Sequence, residues 1–231
     1  MTGLPAADLS FWEHGAEIIS GAVPLSVVRL VAEAFAKSID GRAGVRSLEA
    51  DPGVAAILAP GGHLGLVAQQ FSEAPGDFMR PVRVVFFDKT PEVNWAVPWH
   101  QDRTIAVAER CEVDGFASWN RKNGVDHVEP PVWLLSRMIT LRLHVDDAGA
   151  ENGALDILPG SHRLGRVPAA DVEQAVRAGV AVKCMAKSGD ILAIRLTTIH
   201  RSVRSARPSR RRVLHVDYSP DDLPAPLRWR G

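Results

Sequence analysis

The second part of the chain, from residue 80 onward, consists of short β-rich runs separated by turn residues. Asn152-Gly153 and Ser188-Gly189-Asp190 are typical of these turns. The runs cover residues 82–87, 138–145, 155–158, 180–185, 191–196 and 212–218. Only one short helical segment, 171–178, lies among them, and no regular alternation of strand and helix is present. This order favours an antiparallel sandwich or barrel of the jelly-roll kind, with β-structure dominant and helices flanking it.

The first third of the chain has a different period. Between residues 24 and 38 the apolar positions recur at helical spacing, with Pro24 near the first turn and Gly41 soon after the end. Shorter helices are predicted at 9–14, 54–58 and 64–71, and a short strand at 17–19. We expect residues 1–231 to form one domain in which the helices, within about residues 1–75, pack outside the barrel.

Composition excludes several classes of function. Lys plus Arg and Asp plus Glu are 27 each, so net charge gives no general attraction to nucleic acid or to an anionic membrane. Cys111 and Cys184 are far apart without Cys-X-X-Cys spacing, which argues against a disulfide framework or a structural zinc site. No apolar run approaches about 18 residues. We therefore expect a cytoplasmic protein without a membrane partner, and the sequence gives no indication of its oligomeric state.

Three His-X-Asp pairs occur in the chain. They are His100 with Asp102, His144 with Asp146, and His215 with Asp217. On an extended segment each pair would place both side chains on one face, as two adjacent metal ligands require. With a third ligand such as His200, two imidazoles and one carboxylate are typical of non-haem iron(II), because they leave the opposite face open.

Position ranks the three pairs. No histidine follows His215, so that pair would need its third ligand from upstream. Asp146 opens a turn, where such a side chain normally caps its own backbone. His100 follows a strand and a loop, which places it at the open end of a barrel, where ligand-binding and catalytic sites commonly lie. These arguments favour His100, Asp102 and His200, with His144 and Asp146 as an alternative.

Several short segments together, in their order along the chain, resemble the phytanoyl-CoA hydroxylase family, which also contains ectoine hydroxylase. The resemblance runs from about residue 9 to 229. The segments are Trp99-His100-Gln101-Asp102, Asp146-Asp147, Asn152-Gly153-Ala154-Leu155, Pro159-Gly160-Ser161-His162, Gly189-Asp190, His200-Arg201-Ser202 and Arg211. It implies an iron(II) and 2-oxoglutarate-dependent oxygenase on a double-stranded β-helix. Such an enzyme hydroxylates a small organic substrate with dioxygen and converts 2-oxoglutarate to succinate.

The resemblance also implies roles for individual residues. His100, Asp102 and His200 match the family's metal ligands. Arg211 matches the arginine that holds the distal carboxylate of 2-oxoglutarate, and Ser202 matches the hydroxyl beside it. A guanidinium can hold a carboxylate through two parallel hydrogen bonds, which gives the first match a physical basis. The competing Arg212 should face the other side of its strand.

The chain departs from the family at one inward-facing position. Arg142 stands where family members often carry Trp. It either contacts the cosubstrate or an acidic substrate, or pairs with Asp or Glu for structure. Polar contacts to the cosubstrate are not obvious in 82–87. Family halogenases replace the carboxylate ligand with a small residue, so Asp102 favours hydroxylation or a related C–H oxidation.

Other features leave roles and rival functions open. The long segment 109–131, rich in Gly, Asn and Pro, predicts an active-site cover without regular structure. Lys89 and Asn94 either contact substrate or order the loop before the first histidine. A basic cluster made of Arg201, Arg204, Arg207, Arg210, Arg211 and Arg212 is the basis for a rival, polyanion-binding β-domain. A second rival is a cupin-type isomerase or binding barrel that uses the same ligands with another metal.

Overall fold

Two antiparallel sheets form the body of the protein. The computed structural model describes residues 4–38, 44–45, 50–207 and 209–230. In chain order the strands are β1 (Ala16–Ile19), β2 (Gly44–Val45), β3 (Arg80–Lys89), β4 (Val97–His100), β5 (Ile105–Val107), β6 (Ala117–Lys122), β7 (Val125–Glu129), β8 (Ile139–His144), β9 (Leu155–Ile157), β10 (Val182–Cys184), β11 (Ile191–Arg195), β12 (His200–Ser202) and β13 (Arg211–Ser219). The large sheet has the order β1-β11-β8-β13-β3-β2 and the small sheet β10-β9-β12-β4. This is a double-stranded β-helix, which confirms the predicted fold class.

The predicted helices are present with ends that differ by up to two residues, and one further helix, at Val132–Arg137, was not predicted. They are α1 (Phe11–His14), α2 (Leu25–Ser38), α3 (Pro52–Leu58), α4 (His63–Gln69), α5 (Val132–Arg137) and α6 (Val172–Arg177). Short 3₁₀ turns lie at Ala6–Asp8, Ser161–Leu164 and Ala169–Asp171. Gly41, expected just after α2, lies outside the described residues. Among the described helices, none has the length and apolarity that a membrane crossing requires.

The large sheet has one apolar face and one polar face. Leu141 and Leu143 of β8 belong to the same buried cluster as residues of α2, α3 and α4. Within that cluster the rings of Phe35 and Phe86 stack with centroids 3.9 Å apart. Each such buried apolar side chain stabilises the fold by roughly 1.5–3 kcal/mol. Because side chains alternate along a strand, Arg142, between the two leucines, faces the opposite side, toward the small sheet.

The segment 109–131 is a β-hairpin, and the prediction of an irregular connection was wrong. Strands β6 and β7 pair with each other, and β5 adds to β7 to form a third sheet. The turn residues Asn123 and Gly124 both have positive φ, of 50° and 77°, as a two-residue hairpin turn requires. Almost every residue of β6 is exposed, so this strand has no apolar alternation that would reveal it in the sequence.

Candidate active site

Three side chains with metal-binding atoms meet between β4 and β12. These strands pair so that His100 and His200 are cross-strand neighbours, with ring centroids 4.3 Å apart. The carboxylate of Asp102 lies 3.9 Å from Nε2 of His100 and 3.8 Å from Nε2 of His200. One donor atom from each residue lies within 4.8 Å of the other two. Donor atoms that each bind the same cation at about 2.0–2.2 Å lie somewhat closer together than these atoms do. The three side chains would therefore need only a small inward movement to share one cation.

Hydrogen bonds to backbone carbonyls fix the orientation of both imidazoles. His100 Nδ1 lies 2.8 Å from the carbonyl of Pro98, and His200 Nδ1 lies 2.9 Å from the carbonyl of Thr198. A carbonyl only accepts, so each Nδ1 carries the proton and each Nε2 keeps a free lone pair. These lone pairs belong to the atoms nearest Asp102. This is the tautomer that metal-binding histidines use.

The electrostatic surroundings favour the same protonation states. Burial lowers the pKa of His200 to about 4, so the imidazole is neutral at pH 7. Burial by itself would raise the pKa of Asp102, but electrostatic interactions with His200, His215 and Arg83 hold it below its ordinary value. A neutral imidazole and an ionised carboxylate are the forms that bind a divalent cation.

Gln101, which the sequence analysis did not single out, holds the loop of the first two ligands in place. Its buried side-chain amide donates to the carbonyls of Gly165 and Thr197, at 2.8 and 2.6 Å. Its Oε1 accepts a hydrogen bond from the backbone of Val167 at 2.8 Å. Because Thr197 precedes β12, these bonds tie the His100 loop to the His200 loop.

The alternative pair of His144 and Asp146 does not form a site. Both ring nitrogens of His144 are buried and have no hydrogen-bond partner among the described residues. Burial lowers the pKa of His144 to about 3. The Asp146 carboxylate binds the guanidinium of Arg212 at 2.7 and 2.8 Å, on the outer side of the strand. Arg212 therefore faces away from the barrel, as predicted.

The third pair serves a hydrogen-bond network instead. His215 Nε2 lies 3.0 Å from the carboxylate of Asp217. The same carboxylate accepts hydrogen bonds from Thr140 at 2.6 Å and from Arg83 at 3.0 Å. Asp217 is thus fully engaged by protein donors. In the described part of the chain, His100, Asp102 and His200 make up the one group of three such side chains placed to hold a metal.

A cavity of about 140 Å³ opens beside these three side chains, between the two sheets. Its polar lining away from them includes Arg83, Lys89, Arg142, Ser202 and Arg211. None of residues 109–131 lines it, so the expected cover does not lie at this cavity. Arg83 lies in the segment 82–87, where the sequence analysis found no obvious polar contact to the cosubstrate. The two-residue alternation of β3 could have indicated it, because that alternation places Arg83 on the same face of the strand as Lys89.

Arg211 and Lys89 form a cationic end of the cavity. They are cross-strand neighbours on β13 and β3, and Lys89 Nζ donates to Ser202 Oγ at 3.0 Å. Arg211 is 4% exposed and, within the described ranges, forms no ion pair. Burial lowers the pKa of Arg211 to about 10, and burial together with Arg211 lowers that of Lys89 to about 8. Like charges opposite each other are destabilising, so this end favours a bound anion.

The loop residues near this end have separate roles. Lys89 Nζ also donates to the carbonyls of Trp95 and Val203, so it both lines the cavity and orders the loop. Asn94 exchanges two hydrogen bonds with the backbone of Ser205, which is a loop-ordering role.

The basic cluster seen in the sequence does not form one surface. Arg211 points into the cavity. The paired members bind carboxylates at different places: Arg201 with Asp156, Arg207 with Glu151, Arg210 with Asp88 and Arg212 with Asp146, at 2.7–3.1 Å. This neutralisation disfavours a polyanion-binding surface.

Comparisons with known proteins agree with this geometry. The model of the family described as Phytanoyl-CoA dioxygenase (PhyH) matches residues 13–213. The crystal structure of AviO1 from Streptomyces viridochromogenes Tue57 is 22% identical with a TM-score of 0.64, covering 94% of this chain and 95% of that one. The non-heme alpha-ketoglutarate-dependent carbocyclase SnoK from nogalamycin biosynthesis is 19% identical with a TM-score of 0.65, covering 95% and 88%. HygX from Streptomyces hygroscopicus with nickel and 2-oxoglutarate bound is 17% identical with a TM-score of 0.60, covering 91% and 84%. No curated protein sequence matches significantly.

Proposed function

We propose that this chain, which belongs to the phytanoyl-CoA dioxygenase family, is an iron(II) and 2-oxoglutarate-dependent dioxygenase that hydroxylates a small organic molecule. One observation carries the proposal. The same cavity has three side chains with metal-binding atoms at one end and, at the other, a buried arginine, Arg211, that forms no ion pair with a carboxylate of the described residues. A dicarboxylate with a chelating keto-acid group matches both ends.

The iron would be held by His100, Asp102 and His200. The free Nε2 lone pairs and the ionised carboxylate form a two-His, one-carboxylate set that leaves the remaining coordination face open. Iron and the keto acid together supply the oxidising chemistry with dioxygen, and succinate is the product of the cosubstrate. The protein's own task is to fix the ligands, through Gln101 and the carbonyl-bound imidazoles, and to orient the two organic molecules.

The distal carboxylate of 2-oxoglutarate would be held by Arg211, with Ser202 and Lys89 beside it. Arg211 supplies a planar pair of donors, and the hydroxyl of Ser202 is already oriented by its hydrogen bond with Lys89. HygX, a protein with the same fold, was crystallised with nickel and 2-oxoglutarate bound. Arg142 also lines this cavity and, in the described chain, pairs with no Asp or Glu. The alternative of a structural ion pair for Arg142 therefore has no support.

Hydroxylation is proposed as the reaction because Asp102 occupies the carboxylate position. A halogenase would need that position free for a halide. SnoK is described as a carbocyclase, so proteins of this fold also direct the same oxidising chemistry to other products. A cupin-type isomerase or binding barrel, the remaining rival, would consume no 2-oxoglutarate.

The test uses the purified protein under anaerobic conditions. Adding iron(II) and then 2-oxoglutarate should produce a visible metal-to-ligand charge-transfer band, and admission of dioxygen should give succinate. We expect His200→Ala to lose the band, because one of three protein ligands is missing. Arg212→Met is the matched control on the outside of the barrel and should keep it. No band and no succinate with the unchanged protein would contradict the proposed function.

A further inference from the structure

The cavity contains a positively charged side chain, Arg142, in addition to those assigned to the cosubstrate. Arg142 lies on β8 opposite His215 of β13, at the level of the metal ligands. Its side chain is 8% exposed and lines the cavity. Its guanidinium lies over the ring of Phe87, 5.6 Å from the centroid.

One hydrogen bond and a series of close contacts hold this guanidinium in position. Arg142 Nη1 lies 2.9 Å from His215 Nδ1. Arginine only donates, so Nδ1 accepts and the ring proton of His215 resides on Nε2, which lies 3.0 Å from the Asp217 carboxylate without making an aligned hydrogen bond. Asp217 is itself fixed by Thr140 and Arg83. Such a set of partners orients a charged group for binding rather than leaving it mobile.

Arg142 forms no direct ion pair within the described residues, and the carboxylates of Asp102 and Asp217 act on its charge only from beyond contact distance. Arg83 is paired with Asp217 at 3.0 Å, whereas Arg142 forms no ion pair and its Nε has no acceptor there. Removing an unpaired guanidinium from water is costly. A ligand that brings a negative group to this place would recover much of that cost.

The cosubstrate does not supply that group. Arg142 lies close enough to Arg211 and Lys89 for its charge to lower the pKa of both groups. The single distal carboxylate of 2-oxoglutarate, held at Arg211 and Lys89, offsets only one of these three positive charges. The other carboxylate of 2-oxoglutarate faces the metal under the proposed function. Neither end of the cosubstrate is available to neutralise Arg142.

We propose that the substrate of this oxygenase carries a carboxylate that binds Arg142 beside the metal. This inference rests on the proposed function and extends it to a class of substrate. It favours a carboxylic acid or an amino-acid derivative over an acyl-CoA thioester, because the thioester end that would enter a cavity of about 140 Å³ is uncharged. Arg142 is then a specificity-determining residue, held by His215 and Asp217.

The experiment uses the protein loaded with nickel(II) and 2-oxoglutarate, which does not turn over, and titrates it calorimetrically with acetate and with acetamide. The two probes have nearly the same shape and differ in charge. We expect acetate to bind at least tenfold more tightly. Arg142→Met and Arg142→Gln should remove this preference while changing the affinity for 2-oxoglutarate less than threefold. Arg142→Gln keeps a donor for His215, so it serves if the Met variant folds poorly, and Arg212→Met is the control with a full preference.

Three results would overturn the inference. One is equal binding of acetate and acetamide by the unchanged protein. Another is a preference for acetate that survives in both Arg142 variants. The third is a loss of 2-oxoglutarate affinity in those variants as large as the loss for acetate, which would place Arg142 in the cosubstrate site. If the unchanged, nickel-loaded protein bound no 2-oxoglutarate, the proposed function itself would fail, and this inference with it.

Discussion

Replacement of Arg211 by Met tests the assignment of the cosubstrate site. Met has a similar length and no charge, so Arg211→Met removes the donors with little change in volume. Arg211 is 4% exposed, so solvent screens its interaction with a carboxylate only weakly. Truncating one partner of a buried, hydrogen-bonded charge pair costs about 2–5 kcal/mol. Lys89 remains beside Ser202 and keeps part of the attraction, which places the expected loss near the lower end.

A loss of about 2 kcal/mol corresponds to a roughly 30-fold higher Kd for 2-oxoglutarate. The assay is an anaerobic titration of the iron(II) protein that follows the charge-transfer band. 2-Oxovalerate, which has the same five-carbon chain but no distal carboxylate, is the matched ligand. Arg211→Met should lower the preference for 2-oxoglutarate over 2-oxovalerate by about 30-fold, and Lys89 should maintain whatever preference remains.

Stability provides a control for this variant. Arg211 is a buried cation opposite Lys89 and forms no ion pair in the described chain, so its removal should not lower the free energy of unfolding. A variant that preferred 2-oxoglutarate over 2-oxovalerate as strongly as the unchanged protein does would refute the role of Arg211. A variant that lost affinity for both acids alike would show that Arg211 acts on the metal end or on folding.

Three further predictions concern folding and the loop of the first ligands. Gln101→Leu leaves buried backbone groups unpaired and should cost about 3 kcal/mol in urea unfolding, with at least tenfold weaker cobalt(II) binding. Because burial lowers the pKa of His144 to about 3, this imidazole takes up a proton at a higher pH in the unfolded chain than in the folded protein. Stability should therefore fall as pH drops below about 6.5, by up to about 1.4 kcal/mol per unit, and His144→Leu should remove that part of the slope between pH 6 and 4.5. Tyr218→Phe loses the buried bond to the Leu58 carbonyl at 2.9 Å and should cost about 1–2 kcal/mol in thermal unfolding, without changing cobalt(II) affinity. An unaltered pH slope in the His144 variant, or unchanged unfolding in the other two, would contradict these accounts.

The sequence determined the local structure and the chemistry that is present. The β-rich runs predicted β1, β3, β8, β9, β10, β11 and β13, and helical spacing predicted α2. These patterns are visible in a sequence because they depend on neighbours only a few residues away. The strands β2, β4, β5, β7 and β12, each of two to five residues, were not predicted. The exposed strand β6 was missed because solvent on both faces leaves no alternation to detect.

Only the tertiary structure decided which of these residues meet. All three His-X-Asp pairs satisfy the same local rule, and position and the family resemblance favoured one of them. That its two histidines meet depends on the pairing of β4 with β12, which brings together residues a hundred positions apart. The same holds for the unpaired Arg142 and for Arg211 opposite Lys89, whose surroundings come from strands β3, β8 and β13. Convergence of distant strands depends on the packing of two whole sheets, and no short stretch of sequence encodes it.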